Sequence, residues 1–277
     1  MRVFPRLIGG SPEAPVTRIL ESIGNRTIAA FEGLGMIVLL TGRSLRFIAS
    51  GNIHWRNTFN QLSFIGVDSL PIALLISLSV GMVFTLQITN EFIKYGATTA
   101  IGGVVAISLA REMAPILVSV VVAGRVGSAI AAEIGSMKVT EQIDALEVFA
   151  VDPVRYLVVP RLLSAVMMLP LMVALGNIVG LAGGWAIATG LMGITSPLYL
   201  SSIQTFLSVP DVLKGMLKAA IFGVVIALIG CHQGLNAKKG AQGVGAATTN
   251  SVVYSMIVIF VLNYFLSMAL FPGGGAK

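Results

Sequence analysis

The sequence predicts an all-α integral membrane protein, and three observations carry that prediction. Hydrophobic residues make up 56% of the 277 and charged residues only 11%, whereas a soluble domain carries about 25% charged residues. The apolar residues gather into charge-poor runs long enough to cross about 30 Å of hydrocarbon. Lys and Arg fall mostly in alternate connections, as the positive-inside rule requires of a chain that threads a bilayer. About five transmembrane helices are expected, together with an N-terminal interfacial helix and one short cytoplasmic helix.

Residues 1–60 read as an N-terminal segment and 61–277 as a single transmembrane domain. Glu13 and Glu21 separate the first basic residues from the first apolar run, and no small-x-small cleavage site is clear, so the N-terminus is expected to be retained. Residues 28–40 are short and contain Glu32 and Gly33, with Arg18, Arg26, Arg43 and Arg46 on either side. That pattern favours a helix lying in the interface over a sixth span.

The confident spans follow in order. Residues 69–90 carry no charge. Residues 97–122 form a second span, interrupted only by Arg111 and Glu112. The uncharged stretch 162–210 holds a third, to about residue 188, and then a loop with Pro197 and Pro210. Residues 213–231 and 252–271 complete the five, with Pro272 and three glycines expected to end the last.

With the N-terminus inside, the cytoplasmic side collects Arg43, Arg46, Arg56, Arg125, Lys138, Arg155, Arg161, Lys238 and Lys239 as well as the N-terminal bases. The far side holds Lys94 and Lys277, with Lys214 and Lys218 near its edge. Five spans then put the C-terminus outside. The net charge of +6 is therefore read as topology and not as a nucleic-acid surface.

Arg111 and Glu112 are the exception that needs a cause. An ionisable group near mid-bilayer costs several kcal/mol if it faces lipid, so both are expected to face protein or a wet cavity. Neighbouring helix positions differ by about 100°, so the two cannot stack on each other, and at least one needs a partner elsewhere. Pro115 has no N–H to give the carbonyl of Arg111, which predicts a kink at the pair. The pair then either lines a bent, polar point on a substrate path or forms a buried structural link.

Small residues recur at four-residue spacing at Ala123, Gly127 and Ala131, at Gly124, Ser128 and Ala132, and at Gly176, Gly180 and Gly184. They predict close helix packing, within or between subunits. The stretch 125–161 is expected to lie outside the bilayer. Within it "TEQIDALEVFAVDP" suits a short helix with Thr140 as N-cap, Glu141 and Asp144 in the first turn, and a stop at Asp152-Pro153. Ile143, Leu146 and Phe149 then form an apolar ridge, which either packs on the protein's own helix ends or fits a partner.

Several function classes find no support. The lone Cys231 cannot form an internal disulfide, and no Cys/His cluster has metal-ligand spacing. "GAQGVGAATTN" lacks the Gly-Lys-Ser/Thr ending of a phosphate loop and reads as a loop whose Thr248, Thr249 or Asn250 caps the final helix. His54 and His232 are isolated, and no nucleophile and base can be assembled for a membrane enzyme. An ion-coupled secondary transporter that titrates Glu112 is the alternative, although no internal repeat is seen.

The run "REMAPILVSVVVAGRVGSAIAAEIGSMKVTEQIDALEVFAVDPVRYLVVPR", residues 111–161, resembles the permease subunits of MCE-type lipid transporters, the MlaE/YrbE family with its plastid lipid-import relatives. Looser similarity covers about 60–271, and the first 50 or so residues are poorly matched. The resemblance implies the membrane subunit of an ABC transporter, with ATP and Mg bound in a separate cytoplasmic ATPase and no cofactor in this chain. It also implies a second permease chain, as a homodimer, and an MCE-domain protein that exchanges phospholipid or a related lipid. By the same resemblance, the segment with Thr140, Glu141, Ile143, Asp144, Leu146 and Phe149 is the coupling helix that seats in the ATPase. Arg111 and Glu112 match a polar pair near the lipid pocket, and Met82, Phe84 and Leu86 contribute acyl-chain contacts. The location implied is a bacterial inner membrane, with a plastid inner envelope as the alternative.

Overall fold

The computed structural model describes residues 15–51 and 53–272. Among these the chain is helical throughout, without strands: α1 (Pro15–Ala49), α2 (Trp55–Leu62), α3 (Leu70–Lys94), α4 (Ile101–Ser108), α5 (Ala114–Val122), α6 (Ser128–Val139), α7 (Gln142–Val148), α8 (Val159–Gly190), α9 (Ser196–Phe206), α10 (Val209–Leu235) and α11 (Ala241–Leu270). Wide π-type turns at Ser63–Val67, Leu109–Met113, Ala123–Gly127 and Val154–Val158 join neighbouring helices into longer rods. Five rods are long and apolar enough to cross a membrane: Trp55–Lys94, Thr98–Val139, Val154–Gly190, Val209–Leu235 and Ala241–Leu270. One end of the bundle carries α7 and the turn between α10 and α11; the other carries α9 and the turn between α3 and α4.

All five predicted spans are present, but most run further than the charge-free stretches suggest. A charge ends the hydrocarbon-facing stretch, not the helix, because a helix satisfies its own backbone wherever it goes. The second rod therefore continues as helix past Arg125 to Val139, and the third begins at Val154, so much of the segment expected to lie outside the bilayer is helical, with α7 in the connection between the two rods. Two expected loops are also helical. Pro197 and Pro210 sit in the first turns of α9 and α10, where a missing N–H costs nothing. The Gly-rich stretch from Gly240 opens α11, and Thr248 and Thr249 turn their hydroxyls back onto the Gly245 carbonyl instead of capping. The helix expected at 28–40 is the middle of the 35-residue α1, which packs on α10, α8 and the Val154–Val158 turn. The last helix ends at Leu270 ahead of Pro272; the glycines after it lie outside the described residues.

The densest contact is α3 on α8. Ala73, Ser77, Gly81, Thr85 and Thr89, a strict four-residue stripe, are the buried residues of α3. They meet the stripe with Gly176, Gly180 and Gly184 on α8, and a Cβ on Gly81 would overlap the Gly180 carbonyl. The contact is thus within one chain, and it brings two backbones together where lipid supplies no hydrophobic drive. The Ala123, Gly127 and Ala131 stripe is also internal: the Gly127 carbonyl accepts from Ser251 Oγ of α11 at 2.9 Å and lies against Gly230 of α10. A Cβ on Gly124, by contrast, would meet nothing within 4 Å.

Candidate functional site

The π turn at Leu109–Met113 holds Arg111 and Glu112, with Pro115 at the start of α5. Pro115 frees the Arg111 carbonyl, as its missing N–H requires. Lys218 of α10 takes up that carbonyl, donating to it at 3.0 Å. The same ammonium pairs with Glu112 Oε2 at 2.9 Å and donates to Ser267 Oγ of α11 at 2.9 Å. Glu112 also accepts from Asn263 Nδ2 at 3.0 Å and from Ser267 Oγ at 2.8 Å. Lys218 is 0% exposed, so its three donors are met entirely within the protein.

Arg111 turns to a different partner. Its Nε and Nη2 both reach Asp211 Oδ1, at 3.0 and 2.9 Å. Asp211 Oδ2 accepts from the backbone N–H and the hydroxyl of Ser208, so one carboxylate caps α10 and anchors the arginine. The ring of Phe271 completes the cluster, with Arg111 Cζ 4.9 Å, Lys214 Nζ 5.3 Å and Lys218 Nζ 5.8 Å from its centroid. These partners come from the first turns of α10 and the last turns of α11. The cluster therefore lies toward the α9 end of the bundle and not at its middle, and Lys218, expected near that edge, is fully buried within the protein.

Met113, in the same π turn, lines an apolar cavity of about 270 Å³ with Ser79, Val80, Val83, Phe84 and Gln87 of α3. Of the three α3 residues predicted for a lipid pocket, Phe84 lines this cavity. Met82 is turned toward Gly183 of α8, and Leu86 is not in the lining. A single π turn thus has apolar space on one side and a four-charge network on the other. A helix of ordinary pitch distributes neighbouring residues differently, and π turns often serve this purpose at functional positions.

At the opposite end, α7 spans Gln142–Val148 and is reached through Glu141 in the left-handed region at φ 60. Thr140 is the C-cap of α6, not the N-cap of α7, because its hydroxyl bonds back to the Ser136 and Met137 carbonyls. Asp144 lies in the first turn of α7 and pairs with Lys138 at 2.9 Å. The predicted ridge divides: Ile143 is buried and Leu146 packs on the core, whereas Phe149 lies beyond the helix and is 78% exposed beside Val148 at 84%. The register breaks because the helix stops one residue before Phe149.

Asp211, Lys218, Asn263, Ser267 and Phe271 were not predicted from the sequence. They left a signal there nonetheless: Ser208-Val-Pro-Asp211 has capping-box spacing, and Asp211, Gly215 and Lys218 lie on one face of α10. Gly215 is needed on that face, since a Cβ there would overlap the Ala110 carbonyl.

The family described as Permease MlaE matches residues 58–269. The chain is 49% identical over 245 residues to a probable ABC transporter permease protein of Synechocystis sp., covering 88% of this chain and 93% of that one. It is 39% identical over 253 residues to one of Rickettsia typhi, covering 91% and 98%. It is 40% identical over 239 residues to the Arabidopsis thaliana chloroplastic protein Trigalactosyldiacylglycerol 1, covering 86% and 68%. With its five membrane-length rods and a match over most of its length, the chain belongs to the MlaE permease family.

Proposed function

We propose that this chain is the permease of an ABC transporter that moves a lipid, and that it works as a homodimer with a cytoplasmic ATPase and an MCE-domain protein. The π turn at Leu109–Met113 carries the reading, because it joins an apolar cavity through Met113 to a charged network through Arg111 and Glu112. An amphiphile needs both environments within a few ångströms. Acyl chains would lie against Val83, Phe84 and Met113, while the partly exposed Arg111, whose Nη1 has no partner among the described residues, offers that guanidinium edge to a headgroup. A relative named for a galactolipid supports a lipid cargo.

ATP and Mg would be held by the partner, docked on α7 through the exposed Val148 and Phe149. Closure of the ATPases would move α7, and the Lys138–Asp144 pair would pass that movement to the second rod. In a bacterial inner membrane α7 would face the cytoplasm. Glu112, committed to Lys218, Asn263 and Ser267, does not favour the ion-coupled alternative.

Two variants test the reading. Met113→Trp fills the cavity and is expected to reduce co-purifying lipid several-fold, measured by mass spectrometry, with unfolding temperature unchanged. Val148→Glu with Phe149→Glu is expected to abolish ATPase co-purification from native membranes. If lipid content does not respond to Met113→Trp, the cavity is not the cargo site.

A further inference from the structure

Among the described residues the backbone takes a positive φ at Gly51, Gly96, Gly193 and Gly240, and at just two residues that are not glycine, Glu141 at φ 60 and Ala150 at φ 57. Those two stand one on each side of α7. The hydrogen bonds at the second are those of an ordinary helix stop: Ala150 N–H donates to the Glu147 carbonyl at 3.0 Å and Val151 N–H to the Leu146 carbonyl at 2.9 Å. The end of α3 makes the same pair of bonds, from Gly96 to Ile93 and from Ala97 to Phe92, with glycine at the left-handed position. Glu141 N–H likewise donates to the Lys138 carbonyl at 3.2 Å where α6 closes. Glycine would make either turn without strain, whereas the Cβ of any other L-residue crowds the following carbonyl oxygen there. Both residues are exposed, so neither side chain is kept for a buried contact.

The crowding favours the right-handed region, in which α6 would run on through Glu141 and α7 through Ala150. Seven residues are too few to hold a helix alone, so contacts hold the bent form. Ile143 is buried and Leu146 packs on the core. Lys138 and Asp144, paired at 2.9 Å, straddle Glu141, and Asp152, just beyond Ala150, pairs with Arg43 of α1 at 3.0 Å. Both pairs are open to solvent, where salt screens them. Each left-handed turn is thus opposed by its own Cβ and held by a weak ion pair. Because the second and third rods anchor both ends of the connection, the two turns change together.

We propose that Glu141 and Ala150 are positioning residues that give α7 two orientations: the bent one of this structure, which presents Val148 and Phe149, and a straightened one in which both residues are right-handed. The use of that change in ATP-driven transport rests on the reading of α7 as the ATPase dock, but the two orientations belong to the chain itself. The test is electron paramagnetic resonance between spin labels at Ala145→Cys on α7 and Lys239→Cys on the turn between α10 and α11, both exposed, in the full chain with Cys231→Ala.

With Glu141 and Ala150 intact, two distances are expected, the second growing at high salt. Glu141→Gly and Ala150→Gly should each lower the share of the second about tenfold, equivalent to about 1.4 kcal/mol and within the range for a left-handed L-residue. Glu141→Gln, which removes the charge and keeps the Cβ, should leave both distances as they were. A single distance in the intact chain, or a second one that survives both glycine variants, overturns the proposal and leaves two strained turns that only hold the fold. ATPase co-purification from native membranes, measured on the same chains, tests the docking reading separately: its absence from the intact chain would sink that reading and leave the distances to decide this one.

Discussion

Lys218 shows what a membrane interior demands of a cation. Its ammonium is fully buried and meets a carboxylate, a carbonyl freed by Pro115 and a serine hydroxyl, so no donor faces lipid. Removing one partner of such a pair leaves the other charge uncompensated. Lys218→Met is expected to destabilise by about 3–5 kcal/mol, and adding Glu112→Gln should recover part of that loss; thermal unfolding in detergent of both singles and the double measures the coupling. Tyr199 of α9, outside the spans, gives a pH test. Burial pushes its phenol above the usual value near 10. The folded state then holds the proton more firmly, so this contribution is complete below about pH 10 and is lost as pH rises through the folded value. Wild type should lose more unfolding temperature than Tyr199→Phe between pH 9 and 11.

Glycine placement decides which rods can touch. A Cβ on Gly81 would overlap the Gly180 carbonyl, whereas one on Gly124 would meet open space. Gly81→Ala is expected to cost about 1–3 kcal/mol or more by forcing α3 from α8, and Gly124→Ala to be neutral, with the two compared by yield and unfolding temperature. The four-residue spacing of both stripes is plain in the sequence, because small residues at that period always make a helix face. Which stripe finds a partner is not plain, since it depends on where α3, α10 and α11 come to lie. The same limit governs α7: its apolar spacing predicted one ridge, and the helix ended before Phe149 could join it.

At the scale of the molecule, the two ends differ in chemistry. One carries exposed Val148 and Phe149, the other Tyr95 at 82% exposure and the α9 cap. Cys231, the sole cysteine, is buried, and Cys231→Ala gives the background for labelling. Val148→Cys and Tyr95→Cys on that background are expected to react with an impermeant maleimide from opposite faces, Val148→Cys from the cytoplasm. Reaction of both from one face would remove the five-span topology.

The sequence alone determined that this chain crosses a membrane about five times. It also showed that Arg111 and Glu112 had to find partners and that Pro115 would disturb the helix at that pair. Those conclusions rest on local costs: unpaired backbone in lipid, buried charge and a missing N–H, each written in a few consecutive residues. Only the tertiary structure decided that Asp211 takes Arg111 and that Lys218, Asn263 and Ser267 take Glu112. The partners of Arg111 and Glu112 lie about 100 to 155 residues away, and helix packing, not local pattern, brings them within 3 Å.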